Sequence, residues 1–510
     1  MCGWVFQVEA RPSVDERKFS EALNRISWRG PDAHSISFLK EGSVAMGHNR
    51  LAIIDPVDRS NQPMISDDEK YAIIFNGEIY NHKAIKKSLN LNCYTSSDTE
   101  VILQGYAKIG TRLFEKLDGM FAFVILDTQS GEWVCARDGL GIKPLYFYLN
   151  GKHAVISSEC SAISELVHTR ICEDAITEWK VIRRPLPGKT FFTNIQELEP
   201  GTYLTNSGSK RRFWSIKPSS EAFNQEEFEE KIKNSVRSHE MSDVGVVGLL
   251  SGGLDSAIIS SQSVSRRFYT VGLHNNNEFE GASETADCLG LDLERVAISE
   301  EQLIENWKFL TRLKREPISL PNEGLIFSVC RAMKEEEKVV LTGEGADEIL
   351  FGYDGIYRWA LEDDNAFDAH KFLNRYGYCE DVFTERLIDF VNGLSVGKSL
   401  IQFLEDFFLS VHLPGLLRRM DFSSMAASKE ARVPFVSKDL IEYLYRRDPA
   451  TKINEQISKI PLRKFAEKSG LVGVLERKKI GFSAQSNQLQ NRKESYEHFR
   501  SVVLGELQWS

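Results

Sequence analysis

Val244-Gly245-Val246-Val247-Gly248-Leu249-Leu250-Ser251-Gly252-Gly253-Leu254-Asp255-Ser256 decides how the second half of this 510-residue chain is built. The stretch from Val244 to Leu250 carries no charge, the pattern of a strand buried on both faces of a parallel sheet. The glycines at 252 and 253 break it, and a helix pattern starts beside Asp255. A strand, a glycine loop and a helix N-terminus together form a cradle for phosphate oxygens, because backbone N–H groups and the helix dipole favour an anion there. The loop lacks the Gly-Lys-Ser/Thr ending of a kinase-like P-loop.

Outward from this stretch, strands are expected at Arg267–Leu273, 293–298 and Val339–Leu341, with helices at Phe228–Met241 and 282–289. Alternation of this kind predicts an open α/β sheet. Beyond residue 355 the pattern turns mostly helical. Thr342-Gly343-Glu344-Gly345-Ala346-Asp347-Glu348 follows the last of these strands. Three carboxylates among glycines suit hard oxygen ligation of Mg²⁺, although an acidic helix start has the same composition.

The first 150 residues read differently. Val5–Val8, Tyr71–Phe75 and Phe121–Leu126 are short β-rich runs, and helices are expected near Asp15–Arg25 and over Asp98–Ile109. This mixture predicts an α+β domain. Turn-rich sequence from Arg184 to Ser209 places the expected boundary just after it, giving domains over 2–205 and 223–510 with a linker at 206–222.

The first domain offers a nucleophile. Removal of Met1 would leave Cys2 first, so that one residue carries both a thiol and a free α-amino group. An amine of pKa about 7.7–8.0 can act as the base that a thiol needs near neutral pH. Glutamine, a zwitterion with a reactive side-chain amide, would require a cation for its carboxylate and an anion for its ammonium. Arg50, with its planar fork, suits the first and Asp98 the second. Attack on the amide creates an oxyanion, for which the Asn76 side chain and the Gly77 backbone N–H are natural donors.

Net charge is −10, with 42% hydrophobic and 27% charged residues. These are ordinary globular values and give no reason to expect nucleic acid or a membrane surface as a partner. None of the eight cysteines forms a C-x-x-C pair, which argues against a zinc ribbon or a dithiol site and fits a reducing cytosol. The polar start predicts no secretory signal, and no apolar run is expected to reach the ~20 residues of a membrane span.

The first half resembles the class II, N-terminal-nucleophile glutaminase domain. Cys2-Gly3, Arg29-Gly30-Pro31-Asp32, Arg50-Leu51, Asn76-Gly77-Glu78, Ser97-Asp98-Thr99-Glu100 and Arg137-Asp138 with Gly141-Ile142-Lys143-Pro144-Leu145-Tyr146 match in order. The resemblance implies a four-layer αββα sandwich and a glutamine site made of Arg50, Leu51, Ile54, Asn76, Gly77, Glu78 and Asp98. Ser251-Gly252-Gly253-Leu254-Asp255-Ser256 resembles the PP-loop of ATP pyrophosphatases. Together with Thr342–Glu348, with Ser424-Met425-Ala426 through Glu430-Ala431-Arg432-Val433-Pro434-Phe435, and with Arg477-Lys478-Lys479-Ile480-Gly481-Phe482-Ser483, it resembles the asparagine synthetase family.

That resemblance implies ATP contacts at Leu250, Ser251, Gly252, Gly253, Asp255, Ser256, Val271, Thr342 and Gly343. It implies Mg²⁺ on Asp255 and Asp347, catalytic assistance from Glu344, and Lys479 on the phosphates. Glutamine, ATP and aspartate become the expected small-molecule partners of a cytoplasmic enzyme, with a homodimer compatible with the family.

Three departures touch the second half: Phe422 where arginine is usual, Asp292-Leu293-Glu294-Arg295 in place of a His-rich stretch, and Glu316-Pro317 without a usual Asp. They keep open the same chemistry on another carboxylate, such as a sugar acid or a natural-product precursor. A catalytically silent relative is disfavoured by the presence of Cys2, Asp255, Glu344 and Asp347. A β-lactam-synthetase-like cyclase needs no glutamine, so a working Cys2 pocket argues against it. Ammonia made at Cys2 would need a sheltered path between the domains.

Overall fold

The computed structural model describes residues 2–11, 13–362, 367–377, 382–477 and 492–507. In chain order the strands of the first half are β1 (Gly3–Val8), β2 (Ala33–Leu39), β3 (Val44–Arg50), β4 (Met64–Ile65), β5 (Tyr71–Ile79), β6 (Gly119–Asp127), β7 (Trp133–Arg137), β8 (Tyr146–Asn150), β9 (His153–Ser157), β10 (Gln196–Glu197), β11 (Thr202–Thr205) and β12 (Lys210–Arg212). They form two six-stranded antiparallel sheets, ordered β10-β8-β9-β1-β3-β2 and β12-β11-β7-β6-β5-β4.

The period of two along each strand sorts its side chains between cores. Trp4 and Phe6 of β1, Ala72 and Ile74 of β5, and Ala122, Val124 and Leu126 of β6 join one core shared by the two sheets. Ile73, Phe75, Phe121, Phe123 and Ile125 face the other way, onto the helix Asp98–Ile109 through Val101 and Ile102. Val5 packs with Phe19, Leu23, Ala162 and Ile163 from the helices Glu16–Asn24 and Cys160–Leu166. Each large apolar side chain buried this way contributes about 1.5–3 kcal/mol. Lys210–Arg212, inside the stretch expected as a linker, pairs with β11 as the edge strand β12.

The second half holds β13 (Gly245–Leu249), β14 (Arg267–Leu273), β15 (Asp292–Ile298), β16 (Glu337–Leu341) and β17 (Glu430–Arg432). All pairs are parallel, in the order β15-β14-β13-β16-β17. The run quoted first is the central strand, and the helix Leu254–Gln262 follows its glycine loop. The remainder is mostly helical. One continuous helical stretch, Leu400–Met425, is long and apolar enough to cross a membrane, but 67% of its apolar window is buried within the chain. Glu405 and Asp406 interrupt its apolar run, which is why no such length was expected. It contains a π-helical turn at Phe408–His412, just before Pro414, which has no N–H to donate.

The two halves share cores. Met120, Leu140 and Ile142 pack with Leu341, Ala346 and Val433, and Trp179 packs with Ile318 and Phe327. Leu51 and Ile53 meet Val339 and Met425. The end of β3 therefore lies against the back of the parallel sheet, which brings the first site close to the second domain.

Candidate active sites

Cys2 lines a small cleft together with Arg50, Leu51, Ile54, Gly77, Glu78, Asp98 and Glu430, among others. The backbone nitrogen of Cys2 donates to Asn76 Oδ1 at 2.9 Å. That bond turns the Asn76 amide, and its buried Nδ2 has no hydrogen-bond partner among the described residues, a donor in reserve. Burial pushes the Cys2 thiol up; the Leu51 backbone and the Arg50 charge pull the other way without reversing it. The thiol therefore needs a base close by.

Gly77 sits at φ 151°, and a Cβ there would lie 2.0 Å from the Met120 carbonyl oxygen. Only glycine lets β5 meet β6 at that point. Asp98 begins its helix behind the Ser97 cap and accepts from the Ile79 N–H at 2.9 Å. Burial raises its pKa. Arg50 is more engaged than the sequence suggests. Its terminal nitrogens donate to the Ile54, Asp55 and Val57 carbonyls and to Asn61 Oδ1, at 2.7–3.1 Å. The turn before Pro56, with Asp55 at φ 48°, wraps its carbonyls around the guanidinium.

Glu78, placed in the glutamine site by resemblance, also faces the other half: its Oε2 accepts from Arg432 Nη2 at 3.1 Å. Arg432 is fully buried and also reaches Glu430 (2.6 Å) and the His239 and Met241 carbonyls (2.8 and 2.6 Å). Burial opposes ionisation of Glu430, but Arg432 holds its carboxyl below the usual range. The wall of the Cys2 cavity thus includes a carboxylate from β17 of the parallel sheet.

The second site lies at the C-terminal ends of β13 and β16. Ser251 Oγ and Ser256 Oγ stand 2.9 Å apart, and the Gly253 N–H donates to Ser251 Oγ at 3.1 Å, which ties the glycine loop into a compact turn. Leu250, Val271 and Thr342 are buried, and Gly343 continues the chain past β16. Asp255 and Asp347 converge on one ammonium. Lys459 Nζ lies 2.7 Å from both Asp255 oxygens and 2.6 Å from Asp347 Oδ1. A Cβ on Gly352 would lie 2.0 Å from that Asp347 oxygen and 2.3 Å from Lys459 Cε, so glycine makes the room. Glu344 is paired with Arg419. Burial, and then the charges of Asp347 and Glu344, push the Glu348 carboxyl up.

Two carboxylates facing one cation position fit Mg²⁺, which binds through one or two carboxylates and completes its shell with phosphates and water. No cluster of three acidic, His or Cys side chains able to hold a metal by themselves occurs among the described residues.

Lys479 lies outside the described residues. Arg477, two positions before it, donates to the Gly252 and Gly281 carbonyls and to Thr285 Oγ1. Lys459 was not singled out in the sequence. Its only local signal is a lysine directly before the helix start Ile460-Pro461, at φ 54°. Nothing local in the sequence ties Glu430 to Cys2. The departures fall in different places. Phe422 is buried at the interface between the halves, its ring 5.4 Å from that of Trp28 with Lys314 Nζ 4.8 Å above it. Glu316 is buried against Arg418. Asp292 and Glu294 bind Arg267 on the sheet edge.

Residues 1–214 match the profile of a glutamine amidotransferase domain, and residues 227–506 match that of asparagine synthase. The glutamine-hydrolysing asparagine synthetase 1 of Bacillus subtilis is 28% identical, over 94% of this chain and 87% of its own length. A putative asparagine synthetase of Mycobacterium tuberculosis is 27% identical with the same coverage. Asparagine synthetase 2 of Oryza sativa is 30% identical over 85% of this chain and 67% of its own length.

Proposed function

The chain belongs to the asparagine synthase family, and on that premise we propose that it is an ATP-dependent amide ligase that takes ammonia from glutamine and transfers it to the side-chain carboxylate of aspartate. One observation carries the reading: the cleft at Cys2 is walled in part by Glu430, from the strand beside β16, and Asp347 of the acid pair follows the end of β16. A nucleophile pocket and a phosphate-binding loop share one interlocked interface.

With Met1 removed, the nitrogen facing Asn76 Oδ1 becomes a free amine. It takes the thiol proton, and Cys2 Sγ attacks the glutamine amide carbon. Asn76 Nδ2 and the Gly77 N–H stabilise the oxyanion. The C–N bond then breaks, ammonia leaves with that proton, and water hydrolyses the thioester to glutamate. Asp98 holds the substrate ammonium. Arg50 holds its carboxylate, through Nε or by yielding part of its grip on the 54–57 turn. Leu51, Ile54 and Glu78 line the remainder. The four-layer αββα arrangement belongs to this proposal, supported by the three cores that separate the faces of the two sheets.

In the second domain the residues Leu250–Gly253, Asp255, Ser256, Val271, Thr342 and Gly343 seat ATP. Asp255 and Asp347 would hold Mg²⁺, which when bound supplies charge neutralisation to the phosphates. Lys459, and Lys479 from the segment after Arg477, are the protein's own cations for the α-phosphate and the leaving pyrophosphate. The aspartate oxygen displaces pyrophosphate from the α-phosphorus. Ammonia attacks the resulting acyl-adenylate and AMP leaves, with Glu344 orienting substrate or moving the proton. The apolar core from Met120, Leu140 and Ile142 to Leu341 and Val433 seals the interface between the two halves against water, and ammonia would need a sheltered path along that interface.

Steady-state turnover with glutamine and ATP, screened against carboxylic acids, tests this. Pyrophosphate release stimulated by aspartate, with asparagine formed in equal amount, is the expected result. Stimulation by a different acid, with none by aspartate, overturns the choice of acceptor while leaving the chemistry in place.

A further inference from the structure

Four buried charges at the interface between the halves are not used by the chemistry above. Arg29, fully buried, spends each nitrogen on a different partner. Its Nε donates to the carbonyl oxygen of Cys2 at 3.1 Å, Nη1 to Glu159 Oε1 at 2.5 Å, and Nη2 to Asp421 Oδ2 at 2.8 Å. Lys143, also fully buried, donates to Asp421 Oδ1 at 3.3 Å. Arg29, Lys143 and Glu159 belong to the glutaminase half. Asp421 comes from the helix Leu413–Met425 of the other half.

The arrangement has two consequences. Cys2 is gripped at both ends of its own backbone, by Asn76 at its nitrogen and by Arg29 at its carbonyl, and these grips fix the direction in which Sγ leaves the chain. Asp421 is also the carboxylate that both cations share: Arg29 and Lys143 each donate to it, whereas Glu159 bonds Arg29, so loss of the Asp421 charge removes a partner from both at once in a buried site. A guanidinium released from one of two carboxylates is no longer held to a single pose. The helix that supplies Asp421 also supplies Arg419, which pairs with Glu344 beside the ATP loop.

We propose that Asp421 is a positioning residue for the nucleophile: by anchoring Arg29 it fixes the carbonyl of Cys2, so that the docked synthetase half sets the rate of glutamine hydrolysis. This rests on the reading of Cys2 as the glutaminase nucleophile.

The test uses the full chain. In Asp421→Asn, kcat for glutamine hydrolysis should fall by about 10–100-fold, the effect of a misplacement on the order of 1 Å. KM for glutamine should change by less than about threefold, because Arg50 and Asp98 sit on other elements, and ammonia-dependent amide formation should stay within about threefold of wild type. Asp421→Glu should recover part of the loss. In an Arg29→Lys background, Asp421→Asn should add little, since both changes act through one guanidinium. The charge-balanced pair Lys143→Met/Asp421→Asn removes one cation with one anion and guards against simple misfolding. It should keep the ammonia-dependent rate and still hydrolyse glutamine slowly. A parallel fall in glutamine- and ammonia-dependent rates would make Asp421 a folding residue and overturn the proposal. Glutamine hydrolysis at the wild-type rate in Asp421→Asn overturns it alone, whereas a wild-type protein that hydrolyses no glutamine overturns the reading of Cys2 along with it.

Discussion

Around Cys2 the polar groups are bonded to fixed backbone: Asn76 to the Cys2 nitrogen, Arg50 to the carbonyls of its own turn, and Asp98 to the Ile79 N–H. Beside Ser251–Ser256 the contacts run between side chains of like need. Asp255 and Asp347 share one lysine, Glu344 and Glu348 crowd in beside them, and burial with that crowding lifts the Glu348 pKa. The first region is organised before its ligand arrives. The second carries an excess of negative charge that a bound divalent cation would offset before a phosphate chain could settle there. A small amide bound in one pose favours the first arrangement, and a highly charged substrate that must enter and leave as pieces favours the second.

The sharpest break between the regions is expected from Cys2→Ala. Glutamine-dependent synthesis should drop by more than about 1,000-fold, because the nucleophile acts as a unit with its base, while ammonia-dependent synthesis stays within about twofold. Pyrophosphate release measured with each nitrogen source reads the difference. Loss of both activities in a protein that keeps its unfolding transition would end the division of labour.

Gly352→Ala is expected to strike only the second region. The new methyl has no room between Asp347 and Lys459, so synthesis should fall by about tenfold or more, with a stability loss of about 1–3 kcal/mol. Glutamine hydrolysis by the same protein should be unchanged; a matching fall would mean that the acid pair is not insulated from the Cys2 pocket.

These contrasts show what was legible beforehand. The central strand and glycine loop were readable because an uncharged run and its glycines are local signals, and Gly77 was readable for the same reason. Lys459 was not. Its meaning lies in meeting Asp255, which is 204 residues away. The bond between Arg29 and Asp421 spans 392 residues; each residue alone reads as an ordinary charge. Strands β2 and β3 did not stand out either, because His34, Ser35, Ser37, His48 and Asn49 dilute the β pattern and are placed by their neighbours in the sheet.

The smallest effect concerns the bracing of the first region. Glu197 on β10 is buried, which opposes its charge, but Arg184 and Arg137 prevail and hold its carboxyl at about 2. A fall from 4.5 to about 2 is worth about 3 kcal/mol to the folded state. Because the folded value is depressed, that stability is present above pH 4.5 and is lost as pH falls toward 2. Denaturant unfolding of wild type and Glu197→Gln should therefore differ most near neutrality and converge in acid. A gap that stays constant with pH would remove the ion pairs from the explanation.

Glu430 in the wall of the Cys2 cavity has a consequence for the order in which the protein is made. Glu430 lies more than 400 residues after Cys2, which at a synthesis rate of about 5–20 residues per second is tens of seconds. During that interval the nascent chain has its nucleophile but lacks one wall of the pocket, and it lacks the parallel sheet that would consume ammonia. A chain assembled in this order completes the wall of its Cys2 pocket only when β17, the last strand of the parallel sheet, has been made.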